Sequence, residues 1–160
     1  MASIERRTLA QLLAAAEARI ERLDPLAACA ALEAGALLVD IRGQDERARD
    51  GVVPGSLHVP RTVLEWRFDP DGTWRNPAVC EVSRQVVLIC DHGCSSTLAA
   101  ATLVELGYER AGDVIGGFDA WRAAGLPVAP APPLRDGLPG MDQPPTIAAT
   151  PATPVVFSTS

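Results

Sequence analysis

One stretch of this chain concentrates groups that can do chemistry: Cys90-Asp91-His92-Gly93-Cys94-Ser95-Ser96. It follows the most apolar run of the sequence, Val86-Val87-Leu88-Ile89, and leads into residues 97–106, whose alanines and leucines favour helix. A tight loop from a strand into a helix turns successive backbone N–H groups inward, and the helix N-terminus adds about half a positive charge, so an anion held there is stabilised. Thiolate is the nucleophilic form of cysteine, and such a setting lowers a thiol pKa to about 3.5–7.5. Cys90 is therefore the candidate nucleophile. Asp91, His92, Gly93, Cys94, Ser95 and Ser96 are the candidate backbone cradle for an anion or a persulfide. An unreactive cysteine ending a buried strand has the same local sequence, and the junction alone does not separate the two readings.

Composition removes most other chemistries. All fourteen basic residues are Arg, so a Schiff-base lysine or a phosphate-loop lysine is absent. His58 and His92 are the only imidazoles, and neither stands in a G-x-S-x-G or H-E-x-x-H context. The four cysteines, at 29, 80, 90 and 94, are too few and too unevenly spaced for a disulfide framework in 160 residues of 48% hydrophobic content, and read as reduced thiols. Cys29 reads as a small core residue. Cys90, His92 and Cys94 lack a second ligand pair for zinc, so neither a metal nor a cofactor is expected. A net charge of −6 opposes nucleic acid or an anionic membrane surface as the main partner. Arg6-Arg7 and the apolar residues after it are too short for a signal peptide and run into Glu17, Arg19, Glu21 and Arg22. A cytoplasmic location follows, and nothing in the sequence indicates an oligomeric state.

The elements that must position this loop are legible from periodicity and punctuation. Leu9, Leu12, Leu13, Ala16, Ile20 and Leu23 fall at helical spacing, which predicts an N-terminal helical extension over residues 1–23. Asp24-Pro25 opens a second helix that Gly35 closes. Residues 36–41, 57–59, 86–89 and 113–115 read as short buried strands separated by helical or looped crossovers, which predicts a parallel sheet. Gly116-Gly117 is a tight turn into a closing helix that ends before Gly125 and Pro127. Residues 24–128 then form one domain. Residues 129–160 hold eight of the fourteen prolines, one Arg, two Asp and one aromatic, a composition that predicts a mobile tail.

Taken in order, these residues carry a resemblance. Leu38-Val39-Asp40-Ile41-Arg42, Glu46, Gly51-Val52-Val53-Pro54-Gly55-Ser56, the strand-to-Cys-x-x-Gly junction ending at Gly93, Gly116-Gly117-Phe118-Asp119-Ala120-Trp121, and Gly125-Leu126-Pro127 resemble a single-domain rhodanese-like protein from about residue 34 to 129. Pro60-Arg61 and Leu64-Glu65-Trp66-Arg67 resemble an actinobacterial-type subgroup. The resemblance implies an α/β fold with a central, mainly parallel five-stranded sheet and helices on both faces. It implies sulfurtransfer, in which Cys90 takes a sulfane sulfur from a small-molecule or protein persulfide donor and passes it to a thiol acceptor. Asp40 and Arg42 match positions that hold the fold together near the active loop.

Three departures qualify that expectation. The family loop usually has Arg five residues after the cysteine, where this chain has Ser95, so the usual clamp for an anionic donor such as thiosulfate is missing. Arg61 and Arg67 are the candidates to restore the charge as substrate-binding residues, with solvated surface arginines as the alternative. Trp66 and Phe68 are candidates for a pocket wall. Val52 replaces a common His. Cys94 either resolves a Cys90 persulfide as a disulfide or is a small loop residue. The competing functions are a catalytically weak or inactive binding and regulatory module and a Cys90/Cys94 thiol-disulfide switch. Phosphatase and arsenate-reductase chemistry on this fold needs Arg six residues after the cysteine, where Ser96 stands.

Overall fold

The computed structural model describes residues 3–144. Five strands, β1 (Glu21–Leu23), β2 (Leu37–Asp40), β3 (Leu57–His58), β4 (Val86–Ile89) and β5 (Ala111–Val114), form one sheet in the order β1-β5-β4-β2-β3. Every neighbouring pair is parallel. The six α-helices among the described residues are α1 (Leu9–Glu17), α2 (Pro25–Glu33), α3 (Gln44–Asp50), α4 (Leu64–Phe68), α5 (Ser95–Glu105) and α6 (Gly117–Ala123).

Strand side chains alternate between faces with period two, and the core divides accordingly. Leu37, Val39, Val86 and Leu88 pack with Leu64, Phe68, Ala99, Leu103 and Tyr108, beneath α4 and α5. Leu38, Val87, Ile89 and Val114 pack with Ala28, Phe118 and Trp121, beneath α2 and α6. Strands buried on both faces read as continuous apolar runs, which is why β2 and β4 stand out in the sequence. α2 starts as its residues require, with Asp24 accepting from the Ala27 amide at 2.8 Å and Pro25 in the first turn.

Two expectations are corrected. The N-terminal helix stops at Glu17, although helical spacing continues to Leu23; residues 21–23 are instead the edge strand β1, paired with Gly112, Asp113 and Val114. Gly112 permits this approach, because a Cβ there would stand 1.8 Å from the Glu21 carbonyl oxygen. The segment beginning at residue 129 is fastened to the body in its described part. Val52 and Ala129 exchange backbone hydrogen bonds at 2.8 Å, Arg67 donates to the Pro139 carbonyl at 2.7 Å, and Asn76 donates to the carbonyls of Gly140 and Asp142. These attachments use main-chain carbonyls, which composition does not reveal. Residues 145–160, to which the expected mobility also applied, lie outside the described residues.

Candidate active site

The Cys90 loop leaves the carboxyl end of β4, the central strand, and enters α5, the place where open parallel sheets bind ligands. Cys90 is buried, at 5% exposure, yet its sulfur faces the loop: Gly93 donates its amide to Sγ at 3.1 Å, and Ser96 Oγ lies 3.3 Å away. Burial is the largest single influence on the thiol and raises its pKa. The hydroxyl and amide of Ser96, the hydroxyl of Ser95 and the amide of Gly93 together outweigh it, so the net shift is downward. The same comparison goes the other way for Cys29 and Cys80, which burial pushes up.

Glycines make the loop possible. Gly93 has φ +79°, and a Cβ on it would meet the Gly116 nitrogen at 2.6 Å; one on Gly117 would meet the Cys90 carbonyl oxygen at 2.4 Å. Gly116-Gly117 thus lets the start of α6 lie directly on the loop, where Phe118 and Asp119 donate their amides to the carbonyls of Cys90 and Asp91 at 2.7 and 3.1 Å.

A pocket of about 480 Å³ opens beside the sulfur, lined by Arg42, Glu46, Arg61, Cys90, Asp91, His92, Cys94 and Ser95, among others. The structure brings the loop residues to one place, but not with one role. Gly93 and Ser96 touch the sulfur. His92 is exposed and bonds Asp119 through Nδ1 at 2.8 Å. Cys94 is an exposed free thiol at the start of α5. Burial pushes the Asp91 carboxyl up, with Arg42 opposing. Asp40 and Arg42 are a buried pair: Arg42 donates to Asp40 at 2.8 and 3.0 Å and to the Gly51 carbonyl at 2.8 Å, and its guanidinium lies 3.9 Å from the centre of the Phe118 ring. Arg47 also donates to Asp40, at 3.2 Å.

Arg61 reaches the pocket, where it is ion-paired with Glu65. Arg67 does not. It is buried at 5% exposure, outside the pocket lining, with Nε donating to the Pro139 carbonyl and one terminal nitrogen to the Trp74 carbonyl, so the expectation that it binds substrate is corrected. The expected aromatic wall is also absent from this pocket. Phe68 is fully buried against Tyr108, and Trp66 is 56% exposed beside Trp74 in a separate groove.

Sequence reading missed the group under the sulfur. Asp113 of β5 is fully buried and accepts from Ser96 at 2.8 Å, Thr97 at 3.0 Å and Arg22 of β1 at 3.0 and 3.3 Å. Arg22 also donates to the Gly93 carbonyl at 3.3 Å, bracing the loop from below. The available signal was an acid in a short buried strand, which requires a partner.

A parallel α/β sheet with a hydrogen-bonded, pKa-lowered cysteine in the loop at its carboxyl edge defines the class of protein. Residues 24–124 match the rhodanese-like domain, and the chain belongs to that family. It is 36% identical over 103 residues to the thiosulfate sulfurtransferase GlpE of Pseudomonas savastanoi pv. phaseolicola, covering 64% of this chain and 88% of that protein. Against the Haemophilus influenzae (strain PittEE) protein of the same name it is 32% identical over 108 residues, 68% of this chain and 93% of the relative. Among solved structures, a Rhodopseudomonas palustris protein of unknown function, described as a possible tyrosine phosphatase, superposes with a TM-score of 0.72 at 35% identity, covering 81% of this chain and 99% of that one. The polysulfide-sulfur transferase of Wolinella succinogenes superposes with a TM-score of 0.60 at 28% identity, covering 75% and 85%.

Proposed function

We propose that this protein is a sulfurtransferase in which Cys90 carries a sulfane sulfur as a persulfide. The observation that carries this reading is the Cys90 sulfur itself, held by the Gly93 amide at 3.1 Å and the Ser96 hydroxyl at 3.3 Å at the mouth of an open pocket. In the first half of the reaction the Cys90 thiolate attacks the outer sulfur of the donor. A Cys90–S bond forms, the donor's S–S bond breaks, and its electron pair leaves with sulfite when the donor is thiosulfate. In the second half, an acceptor thiolate attacks the terminal sulfur and Cys90 departs as a thiolate. The loop donors that stabilise the thiolate also serve the persulfide anion.

Thiosulfate is the donor we favour, supported by the names of the relatives at 36% and 32% identity. Ser95 removes the usual loop cation, and Arg61 lines the pocket together with the buried Arg42. The segment from Pro60 to Arg67 supports the actinobacterial-type subgroup, and the acceptor is a thiol. A phosphatase reading, prompted by the Rhodopseudomonas palustris neighbour, is disfavoured because Ser96, not Arg, follows Cys90 by six residues and is buried on Asp113. The test is mass spectrometry of the intact chain and its peptides after incubation with thiosulfate and, separately, glutathione persulfide. Cys90 is expected to gain one sulfur and to lose it to added thiol, and Cys90→Ser to gain none. No adduct from either donor would leave the fold as a docking module.

A further inference from the structure

The sulfur-transfer steps leave the buried acid Asp113 unused. Asp113 stands on β5, with Ser96 between it and Cys90: Sγ to Ser96 Oγ is 3.3 Å, and Ser96 Oγ to Asp113 Oδ2 is 2.8 Å. Ser96 has a single hydroxyl proton, so it serves either the carboxylate or the sulfur at one time. The carboxylate does not depend on it. Oδ2 faces three donors, Ser96, Thr97 at 3.0 Å and Arg22 at 3.3 Å, with two lone pairs to offer, while Oδ1 receives Arg22 Nε at 3.0 Å. An anionic sulfur gains from it directly, alongside the Gly93 amide at 3.1 Å, the Ser96 amide and the Ser95 hydroxyl.

We propose that Arg22 and Asp113 are positioning residues for Cys90 that act through the Ser96 proton, which rests on Asp113 while the sulfur is a thiol and turns to the sulfur when it becomes an anion. The proposal rests on Cys90 being the sulfur carrier. In the thiol state the Cys90 S–H donates to Ser96 Oγ and Ser96 donates to Asp113. On ionisation the thiol proton leaves through the pocket to water, and the Ser96 O–H swings about its C–O bond without breaking. Arg22 keeps the carboxylate satisfied, joined by Thr97 when its one hydroxyl proton points to Oδ2 rather than to the Gly93 carbonyl 3.2 Å away. Asp113 therefore favours the thiol, through its charge and its hold on the proton, and Arg22 offsets that charge. The other charged or titratable groups facing this network are Glu17, 3.4 Å from Arg22, and Cys94, with Asp91, His92, Arg42, Glu46 and Arg61 on the pocket side. Arg22 lies ahead of the matched domain at 24–124, so the charge state of its cysteine is set partly from a strand outside it.

The experiment is the pH dependence of iodoacetamide alkylation at Cys90, read by peptide mass spectrometry on the full chain and on Asp113→Asn, Arg22→Gln and Ser96→Ala. Asp113→Asn is expected to move the midpoint down by about one pH unit, roughly tenfold more thiolate on the acid side, and the other two to move it up. A scaffold role moves all three the same way or not at all. An Asp113→Asn midpoint that stays or rises overturns the proposal, as does an Arg22→Gln or Ser96→Ala midpoint that stays or falls. Should Asp113→Asn fail to fold, the other two variants decide, and both must rise. Sulfur loading of the unsubstituted chain is recorded alongside. Failure there removes the persulfide reading and leaves the alkylation profiles interpretable.

Discussion

Cys90 owes its lowered thiol pKa to three neighbours rather than to exposure. Two other cysteines, Cys29 and Cys80, are less buried than Cys90, yet burial raises their thiol pKa, because no comparable set of donors meets their sulfur. At Cys90 the hydroxyl and amide of Ser96, the Ser95 hydroxyl and the Gly93 amide outweigh burial. Since a thiol with a lowered pKa ionises first as pH rises, differential alkylation between about pH 6 and 8 is expected to label Cys90 before Cys29 and Cys80. Equal rates at Cys90 and Cys29 would remove the thiolate argument. The sequence showed this cysteine and its loop through the strand, Cys-x-x-Gly and helix in succession. It did not show which serine touches sulfur, because that depends on the loop's path over Gly116 and Gly117.

At the level of elements, the least expected attachment is the one made by Asn76. It is fully buried, lies between α4 and β4, and donates to the carbonyls of Gly140 and Asp142 at 3.1 and 2.9 Å. Its own Oδ1 accepts from the Ala78 amide at 3.1 Å, so one side chain ties a turn to the C-terminal segment. Asn76→Ala leaves the buried Gly140 carbonyl, the Asp142 carbonyl and the Ala78 amide without this partner, and is expected to cost about 1–3 kcal/mol in urea unfolding. Hydrogen exchange should quicken first at residues 139–142, and unchanged exchange there would show that other contacts hold the segment. β1 makes the complementary case. Its residues continue the helical spacing of α1, and Gly112, its direct neighbour in the sheet but about ninety residues away in sequence, makes a strand at that edge possible.

Across the molecule, the sheet's far edge carries a pH-sensitive group. His58 of β3 donates Nε2–H to the Arg42 carbonyl at 2.8 Å, since a carbonyl can only accept. Burial is the main reason its pKa is lowered, and nearby Arg47 adds to the effect, while the Arg42 carbonyl and the charges of Asp40 and Asp142 oppose it. The unfolded imidazole takes up a proton near pH 6.5, before the folded one does, so the unfolded state binds more protons in that interval. This contribution to stability is complete above about pH 6.5 and is lost as pH falls through the lower, folded value. Urea midpoints between pH 7.5 and 5 are expected to drop less in His58→Gln than in the unsubstituted chain. Parallel curves for the two would show that His58 does not titrate differently on folding.

The sequence by itself determined the parts written in local pattern. β2 and β4 are continuous apolar runs because both of their faces are covered, α2 begins at Asp24-Pro25, and the Cys90 loop sits where its neighbours demand a strand-to-helix turn. Motif order from Asp40 to Trp121 was enough to reach the family. Tertiary structure decided what depends on residues distant in the chain: that 21–23 are a strand, that Arg67 holds the segment near Pro139 while Arg61 faces the pocket, and that Asp113 and Arg22 lie under the Cys90 sulfur. Periodicity reports which side of an element is apolar. It cannot report which polar atom, ninety residues away in sequence, a buried charge will meet, because that pairing exists only once the sheet has assembled.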